Sequence, residues 1–144
     1  MLSILLAYLL LLLIIFLFQR KMIYFPDQYS IEYQQQLADQ SNLELWPSTD
    51  NYLGLISKTS KTTGKGTVIV FHSNAGSATD RTYYPDALEK LGYRVVLAEY
   101  QGYAARKESP SESALISDGI QIAKQALNDF GGPLFLWGES LGEV

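Results

Sequence analysis

The stretch Leu134–Gly142, LFLWGESLG, decides the fold. A short apolar run leads directly into G-x-S-x-G, formed by Gly138, Glu139, Ser140, Leu141 and Gly142, the pattern of a strand that turns sharply into a helix and presents a serine at the turn. Side chains at Gly138 or Gly142 would collide with the neighbouring strand and helix, so the turn needs glycine at both places. A serine hydroxyl becomes a nucleophile only when a base takes its proton and fixed N–H donors stabilise the oxyanion that forms. Ser140 is therefore the candidate nucleophile, and the rest of the chain is read for its partners.

Two further apolar, β-branched runs precede it, TVIVF at Thr67–Phe71 and YRVVLAEY at Tyr93–Tyr100. With Leu134–Trp137 they read as parallel strands buried on both faces. Helical patterns lie between them. One, Tyr84–Leu91, groups Tyr84, Ala87, Leu88 and Leu91 on a face, takes Pro85 in its first turn and ends at Gly92. The other is capped by Ser109, with Pro110 and Glu112 completing a capping box, and carries the stripe Ile116, Ile120, Ala123, Leu127, Phe130 before Gly131–Pro133 stops it. Strand, helix, strand, helix, strand, turn is an α/β doubly wound order. Upstream, Leu43–Trp46 and Tyr52–Lys58 flank PSTDN as a β-hairpin, Ser30–Ser41 is a short polar helix or surface loop, and Thr59–Lys65 is a polar linker.

Residues 1–18, MLSILLAYLLLLLIIFLF, carry no charge and are followed by Gln19, Arg20 and Lys21. No basic segment precedes the run and no small-residue cleavage site follows it, so it reads as an uncleaved transmembrane anchor. Tyr24 and Phe25 suit the interfacial belt, and Arg20 and Lys21 place the soluble part on the cytoplasmic face. Residues 19–42 then form a juxtamembrane connector and 43–144 the catalytic-type domain. A net charge of -4 leaves no basic stripe for phosphates, which argues against nucleic acid as a partner. With no cysteine there is no disulfide framework and no thiolate nucleophile, and no metal-ligating cluster is visible.

The stretch FHSNAGSATDR, Phe71–Arg81, closes the first parallel strand. A turn of small residues there can aim a backbone N–H, that of Asn74, at the charge developing beside Ser140, with the Leu141 N–H as second donor of an oxyanion hole. The sole histidine, His72, reads as a structural hydrogen-bonder in that loop, and Glu99, Asp80 and Asp86 as a strand-end polar group and exposed helix starts.

The apolar leader ending in RKMIYFP, TVIVFHSNAG, LEKLGYRVVLAEYQGY with SPSE, and GGPLFLWGESLG together resemble the N-terminal half of the α/β-hydrolase superfamily, in its membrane-anchored, serine aminopeptidase-like branch. The resemblance implies a mostly parallel sheet with flanking helices behind one transmembrane helix, and hydrolysis of an ester, thioester or amide through an acyl-serine, on a small-molecule, acyl or peptide substrate and without cofactor. This sequence departs from the family pattern at Ser73, where glycine is usual, at Gln101–Ala104 in place of P-G-Y-G, and at Glu143. In the family the acid and the histidine follow the serine; here four residues do. The expectation is a truncated serine hydrolase, inactive as this chain, with the LFLW edge exposed. The alternatives are a non-enzymatic membrane-anchored interaction module and one half of a split hydrolase.

Overall fold

The computed structural model describes residues 2–59 and 64–143; most of the polar linker expected at Thr59–Lys65 lies outside them. Helix α1, Leu2–Ile23, is exposed along its whole length and is the one helix among the described residues long and apolar enough to cross a membrane. At about 1.5 Å per residue its span matches a hydrocarbon core of about 30 Å. The helix continues past the uncharged run through Arg20 and Lys21, cations favourable beside the C-terminal carbonyls.

A short strand, β1 (Phe25–Pro26), leads to α2 (Ile31–Gln40), whose first turn is capped by the Ser30 hydroxyl accepting from the Tyr33 N–H. Strands β2 (Leu43–Pro47) and β3 (Tyr52–Ser57) form the expected hairpin, Leu45 opposite Leu55. After β4 (Thr67–Phe71), the two-residue β5 (Ala75–Gly76) pairs in parallel with β1. A 3-10 turn at Ala78–Arg81, α3 (Tyr83–Leu88) and a second 3-10 turn to Leu91 follow, then β6 (Arg94–Ala98), α4 (Glu112–Phe130) and β7 (Leu134–Gly138). The main sheet runs β2-β3-β6-β4-β7. Its last three strands are parallel and β3 joins β6 antiparallel, giving a mixed α/β sheet.

Strand alternation divides the core between the two faces. Val68 and Val70 of β4 point with Leu45, Leu55, Val95 and Leu97 toward Ala38 of α2 and toward Tyr84 and Leu88 of α3. Ile69 and Phe71 point with Val96 and Ala98 toward Leu115, Ile122 and Ala126 of α4. The connection from β4 crosses one face to β6, and the connection from β6 crosses the other face to β7. The carboxyl ends of β4 and β7 therefore flank the place where the winding reverses, where ligands bind in open α/β sheets.

Three sequence expectations shift. Helix α4 buries Leu115, Asp118, Ile122 and Ala126, while Ile116, Ile120 and Leu127 of the expected stripe are about half exposed on the flank beside β7. Apolar residues cover a wide arc of this helix, and the side that meets the sheet is the one where Gly119 lets it settle on the Phe71 ring. The helix starts two residues later than expected: Ser111 caps it, accepting from the Ala114 N–H at 3.2 Å. Pro110 is instead packed against Gly102, where any Cβ would strike its ring, so it closes the preceding loop rather than opening the helix. In α3, Tyr84 and Leu88 pack on the sheet, whereas Ala87 and Leu91 are exposed because the last turn tightens to 3-10 before Gly92.

Candidate active site

The turn after β7 is built on the end of β4. Gly138 stands in register with Phe71, and the Glu139 N–H donates to the Phe71 carbonyl at 2.9 Å. A Cβ on Gly142 would lie 2.6 Å from that same carbonyl oxygen and 2.7 Å from the Phe71 Cβ, so only glycine lets the turn pass here. Between them Ser140 sits at φ +52, in the left-handed region that a side chain rarely occupies. Such strain at a tight strand-to-helix turn is what projects a serine away from its own backbone. The 3-10 turn Ser140–Glu143 follows, with the Gly142 N–H donating to the Glu139 carbonyl at 2.9 Å.

The chain leaves Phe71 directly into the second candidate element, so the elbow and the loop carrying Asn74 share one strand end. Asn74 is held on three sides. Its carbonyl accepts from the Phe25 N–H at 3.0 Å and from the Tyr103 hydroxyl at 2.8 Å, and its side-chain amide donates to the Ile23 carbonyl at 2.9 Å. Burial pushes the Tyr103 phenol up to about 12, which keeps it a donor at neutral pH. The Asn74 N–H has no hydrogen-bond partner among the described residues.

His72 is buried and both ring nitrogens are occupied. Nδ1 faces the Ser73 carbonyl at 2.8 Å, and Nε2 faces Glu99 Oε1 at 2.8 Å. The other Glu99 oxygen accepts from the Ala78 N–H at 3.1 Å and the Tyr52 hydroxyl at 3.3 Å. A ring with no free nitrogen cannot take a proton from Ser140, and the pair instead fastens the start of the loop to the end of β6.

Several functional neighbours escape a reading of the sequence. The Glu139 carboxylate accepts from the hydroxyls of Tyr83 at 2.7 Å and Tyr84 at 2.9 Å through one oxygen, and from Arg81 Nε at 3.1 Å through the other. Partial burial pushes this carboxyl up, but the two phenols and the guanidinium outweigh it and hold it below its ordinary value. Arg81 also donates through Nη2 to the Ser73 hydroxyl at 2.8 Å, which accounts for a side chain where glycine is usual. The loop Gln101–Ala104 is bound to α4 by the buried Asp118, which accepts from the Gln101 N–H at 2.8 Å and from Arg106 Nη2 at 2.9 Å. Ala104 takes φ +49 there despite its Cβ. The sequence carries no signal for this pairing, because Asp118 lies off the expected apolar stripe and only the observed face of α4 places it inward.

A strained serine thus follows the carboxyl end of a parallel strand in a mixed α/β sheet, and the loop leaving the neighbouring strand carries an N–H without a partner among the described residues. The homologues of this chain are lysophosphatidylserine lipases. The lysophosphatidylserine lipase ABHD12 of Danio rerio is 35% identical over 78 residues, 52% of this chain and 20% of that protein. The proteins of the same name from Xenopus tropicalis and Gallus gallus are 31% and 32% identical over the same lengths. An α/β-hydrolase-like relationship thus holds over about half of the chain, which spans about a fifth of the length of these relatives. No family model and no solved structure matches it. Among the described residues no cluster of His, Cys, Asp and Glu could hold a metal ion.

Proposed function

We infer that this chain carries the nucleophile-bearing part of a membrane-anchored serine hydrolase that cleaves acyl esters of lysophospholipid type through an acyl-serine at Ser140. The observation that carries the reading is Ser140 at φ +52 on a turn sealed to the end of β4 by Gly142. Its hydroxyl would attack the ester carbonyl, and the Asn74 and Leu141 N–H groups would receive the oxyanion. The relatives' name supplies the substrate class. The apolar helix supports it independently: α1 ends at Ile23, whose carbonyl is bonded to Asn74, so a bilayer holding α1 brings lipid to the mouth of the site. With α1 as a single-pass anchor, amphiphilic substrate is delivered laterally rather than from dilute solution.

The 144 residues include one histidine, His72, and it is committed to Ser73 and Glu99. His72 is therefore not the base that Ser140 needs, and neither that base nor the acid that orients it is assigned to a residue here. Without them an oxyanion hole alone supports on the order of a thousandfold acceleration over water, far short of a working hydrolase.

Fluorophosphonate labelling of the chain in lipid nanodiscs tests this. The chain alone is expected to label no more than Ser140→Ala, and addition of the part of the Danio rerio relative that follows its own nucleophile is expected to switch labelling on at Ser140. Labelling of Ser140 by the chain alone would show that the base lies among these residues. Failure under both conditions would remove Ser140 as a nucleophile.

A further inference from the structure

We propose that Arg81 is a positioning residue that sets the spacing between the nucleophile turn and the oxyanion loop, with Glu139 and Ser73 as its two points of attachment. This rests on the reading of Ser140 and Asn74 given above and extends it to residues that reading does not use.

The geometry is that of a strut. The guanidinium is planar and its donors have fixed directions, so two contacts made by one Arg are held at a fixed separation. Here Nε reaches Glu139 Oε2 at 3.1 Å, directly before Ser140, and Nη2 reaches the Ser73 hydroxyl at 2.8 Å, directly before Asn74. The third nitrogen, Nη1, donates to the Ser77 carbonyl at 3.4 Å and lies 3.7 Å from Asp80, tying the strut to the 3-10 turn in which Arg81 itself sits. The Arg81 side chain is only 12% exposed, so water competes weakly for these contacts. Both ends are fixed in turn. The phenols of Tyr83 and Tyr84 saturate the other Glu139 oxygen, and the Ser73 hydroxyl completes its bonding toward the Ala75 carbonyl at 3.5 Å. Each attachment is one residue from a group that would touch the reacting carbonyl. Oxyanion stabilisation requires donors within hydrogen-bond reach of the developing charge, so an error of a few tenths of an ångström between the two elements weakens it. The serine at position 73, where the resemblance leads one to expect glycine, is then the socket of the strut.

A test that needs no general base uses Ser140→Cys in the full chain in nanodiscs. The sequence has no other cysteine, so the introduced thiolate is the sole site of reaction. The sulfur attacks the carbonyl of p-nitrophenyl acetate, a thioester forms and p-nitrophenolate leaves, through a tetrahedral oxyanion. Alkylation by iodoacetamide uses the same thiolate but breaks a carbon–iodine bond and develops no such oxyanion. Dividing the acylation rate by the alkylation rate cancels thiolate fraction and access. The ratio for Ser140→Cys is expected to exceed that of an unstructured cysteine peptide by about tenfold or more, a conservative reading of what oxyanion donors contribute. Arg81→Met and Ser73→Ala, each added to Ser140→Cys, are expected to return most of that excess; an unfolded chain would also give the peptide ratio, so each variant is read at a urea concentration where its circular dichroism matches that of folded Ser140→Cys. Ser73→Ala removes one oxygen atom and provides the answer if Arg81→Met fails to fold. An elevated ratio that neither variant lowers overturns the strut and leaves the proposed function standing. A ratio equal to that of the peptide overturns the oxyanion reading, and the strut falls with it.

Discussion

At the scale of single residues, the site depends on two positions where chemistry other than catalysis fixes the choice. Gly142 is one. A methyl group there would press on the Phe71 carbonyl and Cβ at 2.6 and 2.7 Å, and both atoms belong to a strand held on either side. Gly142→Ala is expected to cost about 1–3 kcal/mol, in the range of overpacked cores, as a lowered urea midpoint in detergent. Glu139 is the other. Its folded carboxyl titrates below its unfolded value, so its bonds to Tyr83, Tyr84 and Arg81 contribute stability that is fully present above about pH 4 and is lost as pH falls through the folded value. Comparing melting temperatures at pH 7 and pH 3.5, the wild type should lose more than Glu139→Gln does. Equal losses would show that the carboxylate contributes nothing through its charge.

Helix α4 shows what an element's sequence does and does not disclose. Its existence, type and end are legible, because spacings of three and four and the Gly131–Pro133 terminator depend on local chemistry alone. Which face it buries is not, since Ile116, Ile120 and Leu127 form as good a stripe as Leu115, Ile122 and Ala126, and only the Phe71 ring meeting Gly119 selects between them. The cap is equally tertiary: the start expected at Ser109-Pro110 gives way to Ser111, because Pro110 is packed on Gly102 in the preceding loop. Ser111→Ala should therefore cost about 1 kcal/mol, as cap removals do, and Ser109→Ala close to nothing. Likewise Ile122→Ala should cost about 2–5 kcal/mol and Ile120→Ala well under 1 kcal/mol, read from denaturant midpoints. The turn after β7 behaves like the helix ends: G-x-S-x-G after an apolar strand is a local pattern, and the tight turn with Gly142 against Phe71 follows from it. The Arg81 strut joins positions 73, 81 and 139, and no sequence period links residues so far apart.

For the molecule as a whole, the two edges of the sheet differ. Edge strand β2 buries Leu43, Leu45 and Trp46, while β7 forms the other edge with Phe135, Leu136 and Trp137 each about half exposed or more. Leu136 stands in register with Ile69, so it points to the face of α4, where Ile116, Ile120 and Leu127 are also exposed. An apolar strand edge continuous with an apolar helix flank has both unpaired backbone groups and hydrophobic area to bury, which is the combination that drives association. The chain is accordingly expected to self-associate through its folded part. The double variant Leu136→Lys, Ile120→Lys places two charges in that surface without touching the buried residues of α4, and should lower the weight-average mass of the detergent-solubilised chain in sedimentation velocity. Association through α1 would instead persist in this variant and respond to substitutions along Leu2–Ile23. An unchanged mass in the double variant would therefore move the contact from the sheet edge to the membrane helix.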